Sequence, residues 1–465
     1  PSESSISSAG GGGGGGGASA SEDEHVWLRT TCTPALGALV ELWALHYPRL
    51  EFLLPDVLGL VHKCVDQEME GLARIGVMCL NKLVELCGAR LSPPAWTVLC
   101  GALTRMFAAT TPLALLTSKE AMGLGAADLA AMGVTLLRAP PLPGQAAHAA
   151  PAEPEPLLVE ADEEMGGAGG EAVAAEMAET AETGAGGGSR MRAPSSASSH
   201  DAGAGAAHGS SLPFRPLPVV TKCVVQLELI ALVGDLVSSH APRLGQKHCA
   251  ALLDMLCASS QFASAFNAER ELRAALWEAG FMRSMRLNKL PNLLRQETSG
   301  LSQMLRILFK LYAPAAEVAA EAGAGEAAAT ASAAAAAGGK TRLTSAFGAA
   351  SEEEIPNGFD REAFVEDRLV SVCQDLLRHY AEQEHAVVEA EGLVHSESED
   401  GREVQAFTPV VVQVLSGLIH LTDEQFARHL PWLFPLLAEL VQCESRELRC
   451  VLKDVFARRV GAAIL

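Results

Sequence analysis

Cysteine and histidine are the residue types best suited to chemistry in this 465-residue chain, which holds 11 of the first and 13 of the second. The cysteines, from Cys32 to Cys450, include no C-x-x-C pair, and most lie inside apolar stretches. Structural zinc sites usually draw on close-spaced ligand pairs. An odd, scattered set also fits no disulfide framework. The pattern predicts buried thiols in a reducing compartment and no metal site. His420 and His429 flank a turn beside Asp423 and Glu424, where they read as capping or surface residues. No G-x-S-x-G elbow appears. The Gly10–Gly17 run lacks the lysine and flanking strand of a phosphate loop. No catalytic residue and no cofactor is expected.

Cations offer a second kind of chemistry. Arg283, Arg286, Lys289 and Arg295 gather around a helix boundary, where they could meet acidic lipid or an acidic protein surface. The same spacing also serves a solvated loop and helix end. Arg446, Arg449, Lys453, Arg458 and Arg459 stud the last helix, where cations favour the negative end of the helix dipole. The chain as a whole is acidic, with a net charge of -21. That excludes broad binding to nucleic acid, which needs clustered Lys and Arg. It leaves only a local basic patch for anionic lipid. No run of eighteen apolar residues is free of charges and breaks, so no membrane span is predicted. The first residue is Pro1, which reads as a fragment or an incomplete gene model.

The elements that must position these residues are helices. Low-complexity stretches at 1–24, 139–212 and 314–357 are rich in Gly, Ala, Ser, Pro and Glu. They cannot bury enough apolar surface to offset chain entropy, so disorder is predicted there. Three ordered blocks remain, at 25–138, 213–313 and 358–465, the last interrupted by acids around Glu397, Glu399 and Asp400. Apolar residues recur at helical spacing in each block. In the first, Leu72, Ile75, Cys79, Leu80 and Leu83 mark one helix, and Ser92 caps another that opens with Pro93. The second block predicts helices over Val219–Val237, Pro242–Cys257, Phe262–Trp277 and Pro291–Tyr312. The third predicts Arg361–Glu391, Val404–His420, Asp423–Cys443 and Glu447–Val460, with Thr422 and Gln425 as a capping box. Trp27, Trp43, Trp96, Trp277 and Trp432 occupy apolar helix positions and are assigned to the core. The fold class is therefore all-α, a HEAT/armadillo-like helical-repeat solenoid interrupted by long linkers.

Four stretches carry a family resemblance: Leu72–Leu116, Lys222–Val237, Phe262–Phe281 continued by Leu290–Tyr312, and Leu421–Gly461. Gln226, Glu228 and the run from Asn292 to Glu297 are the least generic parts of them. In order and content these stretches resemble the carboxy-terminal end of the large brefeldin A-inhibited guanine-nucleotide exchange factors for Arf GTPases. The resemblance implies a tail that receives membrane-bound Arf-family or related small GTPases. It also implies a cytoplasmic protein, peripheral on trans-Golgi or endosomal membranes, that regulates vesicle traffic. In that family the exchange domain and its glutamate lie upstream, and no segment here resembles them. This polypeptide is thus not expected to be an enzyme by itself. Dimerisation in the family is placed near the amino terminus of longer chains. The alternative is a free-standing helical-repeat trafficking scaffold with no exchange activity.

Overall fold

The computed structural model describes residues 26–137, 212–283, 287, 289–312, 361–391 and 398–461. Among the described residues there are helices and turns and no strand. The first group comprises α1 (Thr33–Leu45), α2 (Leu54–Val65), α3 (Glu70–Cys87), α4 (Pro93–Thr110) and α5 (Ala114–Ala121). The second comprises α6 (Pro216–His240), α7 (Gln246–Ala268), α8 (Arg270–Glu278) and α9 (Leu294–Tyr312). The third comprises α10 (Arg361–Glu391), α11 (Glu399–Ile419), α12 (Asp423–Leu440) and α13 (Arg446–Val455).

Local chemistry sets several of these ends. The Ser92 hydroxyl accepts from the Ala95 amide, and Pro93 fills the first turn, where a missing N–H costs nothing. Thr422 and Gln425 form a reciprocal capping box at the start of α12. The Ser398 and Ser445 hydroxyls cap α11 and α13 by accepting from the Gly401 and Leu448 amides. Gly280 closes α8 at φ +90°, a left-handed conformation that glycine adopts without strain.

Packing runs from each helix to its neighbours in order. α3 packs on α1 and α2, and α4 on α2. α6 then covers α3 and α4, while α7 rests on α4. α9 packs on α6 and α7, and α10 and α11 pack on α9. α12 and α13 close the stack on α10 and α11. One apolar core extends from Leu28 to Val460 through all three groups. A second cluster forms beside it, where Leu115 and Leu116 of α5 meet Phe262, Phe266, Leu272 and Leu276. Gly76 lets α3 approach the end of α2, since a Cβ there would lie 2.8 Å from the Val65 backbone nitrogen.

Several elements differ from the sequence-based expectation. α7 runs unbroken through Ser259 and Ser260 to Ala268. These serines look like a gap in the apolar pattern, but both are buried and hydrogen-bonded. Ala241–Arg243 is a short 3-10 turn, so α7 opens at Gln246 rather than at Pro242. Glu399 and Asp400 are the first turn of α11, where acids suit the positive end of the helix dipole. Trp43 and Trp96 are buried, but Trp27 is 53% exposed and lies outside the core. Three helical segments (Pro93–Ala121, Pro216–Arg243 and Gln246–Ala268) are long and apolar enough to cross a membrane by length and composition. An uninterrupted apolar run is too strict a criterion to find them, because mean hydropathy tolerates charges such as Glu228 and Asp235. At least half of each apolar window is buried inside the fold, against neighbouring helices.

Candidate functional site

The basic residues singled out by sequence lie on the connection from α8 to α9. Arg283 and Lys289 are exposed, as is Arg295 in the first turn of α9. Arg283 donates to the Glu278 carbonyl at 3.3 Å. Arg286 lies outside the described residues.

The connection is held from beneath. Phe281, Met282 and Leu293 are buried in the second apolar cluster. Arg273, itself 4% exposed, donates to the Pro291 carbonyl at 2.6 Å and the Asn267 carbonyl at 2.8 Å. Its third partner is the Glu399 carboxylate at the start of α11. Arg270 pairs alongside with Asp400. Asn267 accepts from the Leu293 amide at 2.7 Å and donates to Glu297 Oε2 at 2.7 Å. Buried polar groups of this kind are costly unless satisfied, so each bond fixes backbone position.

A chain of buried polar contacts links α4, α6, α7 and α9. Gln226 Nε2 of α6 donates to the Phe107 carbonyl at 2.7 Å and to Thr110 Oγ1 at 2.9 Å. Ser259 of α7 donates to Gln226 Oε1 at 3.0 Å. Gln296 of α9 donates to the Ser259 carbonyl at 3.2 Å. Gln226 and the Gln296–Glu297 pair are among the residues whose types stood out in the sequence, and their role is this internal network. Burial pushes the Glu297 carboxyl up to about 7, while bonds from Asn267 and Ser264 act in the opposite direction. Glu228 differs: it faces outward and pairs with Arg74 at 2.7 Å.

That pair lies beside a groove of about 480 Å³ between α3 and α6, lined by Arg74, Met78, Asn81, Glu228 and Asp235. Sequence spacing could not reveal it, because its walls come from opposite sides of the segment 138–211.

His429 is not the surface residue that its setting in the sequence implies. It is 4% exposed and sits between Tyr312 and Trp432. Trp432 Nε1 donates to Nδ1 at 3.3 Å, so Nε2 carries the proton and faces the Tyr312 hydroxyl at 2.9 Å. Burial, first of all, lowers its pKa; Glu366 opposes that shift. His420 is exposed at the end of α11, as a capping position requires.

The structure also gathers Glu384, His385 and Cys443, which no close sequence spacing signals. Apart from Cys450, which is exposed, the cysteines are buried or half-buried free thiols.

Comparison with known proteins gives these surfaces a family. The model of the BIG2 C-terminal domain matches residues 224–457. Brefeldin A-inhibited guanine nucleotide-exchange protein 1 of Rattus norvegicus is 26% identical over 471 residues, covering 93% of this chain and 21% of that protein. The Homo sapiens protein of the same name is 26% identical over 470 residues, with the same shares. The ADP-ribosylation factor guanine nucleotide-exchange factor sec72 of Schizosaccharomyces pombe is 25% identical over 451 residues, or 96% of this chain and 19% of that protein. The chain thus spans about a fifth of the length of the curated relatives it matches. No solved structure matches it. With half its length inside the domain model and nearly all of it aligned to these relatives, the chain belongs to the BIG-type Arf guanine-nucleotide exchange factor family, in the region of the BIG2 C-terminal domain.

Proposed function

We propose that this chain is a non-catalytic regulatory and scaffold region of an Arf guanine-nucleotide exchange factor, acting in Golgi and endosomal vesicle traffic. It docks an activated Arf-family or related small GTPase and so recruits the factor to the cytoplasmic face of those membranes. The observation that carries this reading is the exposed Arg283–Lys289–Arg295 surface, held on buried anchors within a family-matched helical stack. Buried anchoring of the Pro291 and Leu293 backbone beside the cations limits the entropy lost on contact with an acidic surface. The groove between α3 and α6 adds a long shallow face of the kind stacked helices offer to partners.

The test uses the full 465-residue chain immobilised against GTP-analogue-loaded and GDP-loaded Arf-family GTPases. Nucleotide-dependent capture is expected, and Arg283→Glu with Lys289→Glu is expected to abolish it. Addition of the chain to GDP-loaded GTPase should leave the rate of nucleotide release unchanged. Capture of neither form, or accelerated release, sinks the proposal.

A further inference from the structure

Away from that surface, Glu384 and His385 near the end of α10 meet Cys443 in the turn between α12 and α13. One ligand atom from each lies within 4.8 Å of the other two. Glu384 and Cys443 are each 1% exposed, and His385 is half-buried. Glu384 Oε1 accepts from the Glu444 amide at 2.5 Å, which ties the turn to α10. Its other oxygen, Oε2, is buried without a hydrogen-bond partner among the described residues, as is His385 Nε2. Two orphaned polar atoms beside a buried thiol are an expensive arrangement for a protein interior. A cation would satisfy all three at once.

We propose that Glu384, His385 and Cys443 form a binding site for a thiophilic divalent cation of the zinc class, which staples the end of α10 to the turn before α13. The donor set carries the choice of metal. Thiolate and imidazole favour zinc over magnesium or calcium, and one carboxylate is a common third ligand. Zinc bonds of about 2.0–2.3 Å place neighbouring ligands closer than the present limit, so small side-chain rotations complete the site. Glu384 also borders a cleft of about 370 Å³ shared with Glu444 and Glu447. On binding, the Cys443 S–H bond breaks, an S–metal bond forms, the proton passes to solvent, and no electron is transferred.

Cobalt(II) titration of the reduced, chelator-treated full chain tests this. One equivalent should bind tightly and give a thiolate-to-cobalt charge-transfer band with tetrahedral ligand-field bands, all reversed by zinc. Cys443→Ser should remove the charge-transfer band, and Glu384→Gln should weaken binding by at least about tenfold. Cys450→Ser, at an exposed thiol, should leave the spectrum unchanged. His385→Ala alters a half-exposed position, so it keeps the test decisive should Cys443→Ser fail to fold. Zinc should raise the melting temperature of the unaltered chain and not of His385→Ala. No single-equivalent uptake by the unaltered chain, or uptake unchanged in Cys443→Ser or in folded His385→Ala, overturns the proposal.

Discussion

Gln226 donates to the backbone carbonyl of Phe107 at 2.7 Å, joining two helices whose bonded residues stand 119 positions apart in the chain. The same amide reaches Thr110, and its carbonyl accepts from Ser259. Replacing Gln226 by alanine deletes these buried bonds and takes the acceptor from the Ser259 hydroxyl, while the Phe107 carbonyl keeps Thr111 and the Thr110 hydroxyl keeps the Met106 carbonyl. Stability should fall by about 2–4 kcal/mol, since each unsatisfied buried polar group costs on the order of 1–3 kcal/mol. Urea denaturation followed by circular dichroism measures it, and a loss below 1 kcal/mol would show that water replaces the amide.

Glu297 makes stability depend on pH in one direction. Burial holds its folded pKa at about 7, above the ordinary 4.5. Its folded form therefore keeps a proton that the unfolded chain has already lost, and stability falls as pH rises from about 4.5 to 7. Glu297→Gln should flatten that decline, which amounts to about 3 kcal/mol at most. Comparing urea midpoints of the two proteins at pH 5 and pH 8 checks the sign.

His429 acts with the opposite sign. Its folded pKa lies below the ordinary 6.5, so its stabilising effect is present above pH 6.5 and is lost as pH falls. His429→Gln should remove this acid-side loss. Because the Glu297 and His429 effects overlap in range, each is read from its own variant, and the double variant should show the flattest profile.

Thr422→Ala removes the side-chain half of the capping box at the start of α12, where the hydroxyl accepts from the Gln425 amide, and leaves the backbone N–H of residue 422 donating to Gln425 Oε1. A cost of about 1 kcal/mol is expected, as for caps generally. The loss should appear as faster amide exchange in the first turn of α12, with the α10–α11 interface unaffected.

Thiol labelling separates the cysteines. Cys450 should react with a thiol reagent at the rate of a free thiol, and fully buried Cys223 and Cys373 only on unfolding. Burial also pushes the Cys223 thiol up to about 12, which keeps it in the unreactive protonated form. Mass mapping after brief alkylation would reveal any other order.

What the sequence made legible was local. The Ser92 and Thr422 caps, the Pro93 opening and the long helix Arg361–Glu391 each depend on residues a few positions apart. What it concealed depends on distant partners. His429 looks like a surface residue until Tyr312, 117 positions earlier, closes over it. Glu399 and Asp400 look like an acidic interruption until Arg273 and Arg270 meet them across the fold. Gln226 stood out as an odd residue in an apolar helix, but nothing near it in sequence names Phe107 as its partner. The basic residues could be found by type, whereas the buried anchors that hold their connection in place could not.

Stacking from each helix to its neighbours has a mechanical consequence. Tension between the two ends would pass from one helix interface to the next along the stack. Under load the stack would yield one helical layer at a time, each step lengthening the molecule before the next gives way. A molecule tethered at one end and pulled at the other would extend gradually instead of letting go.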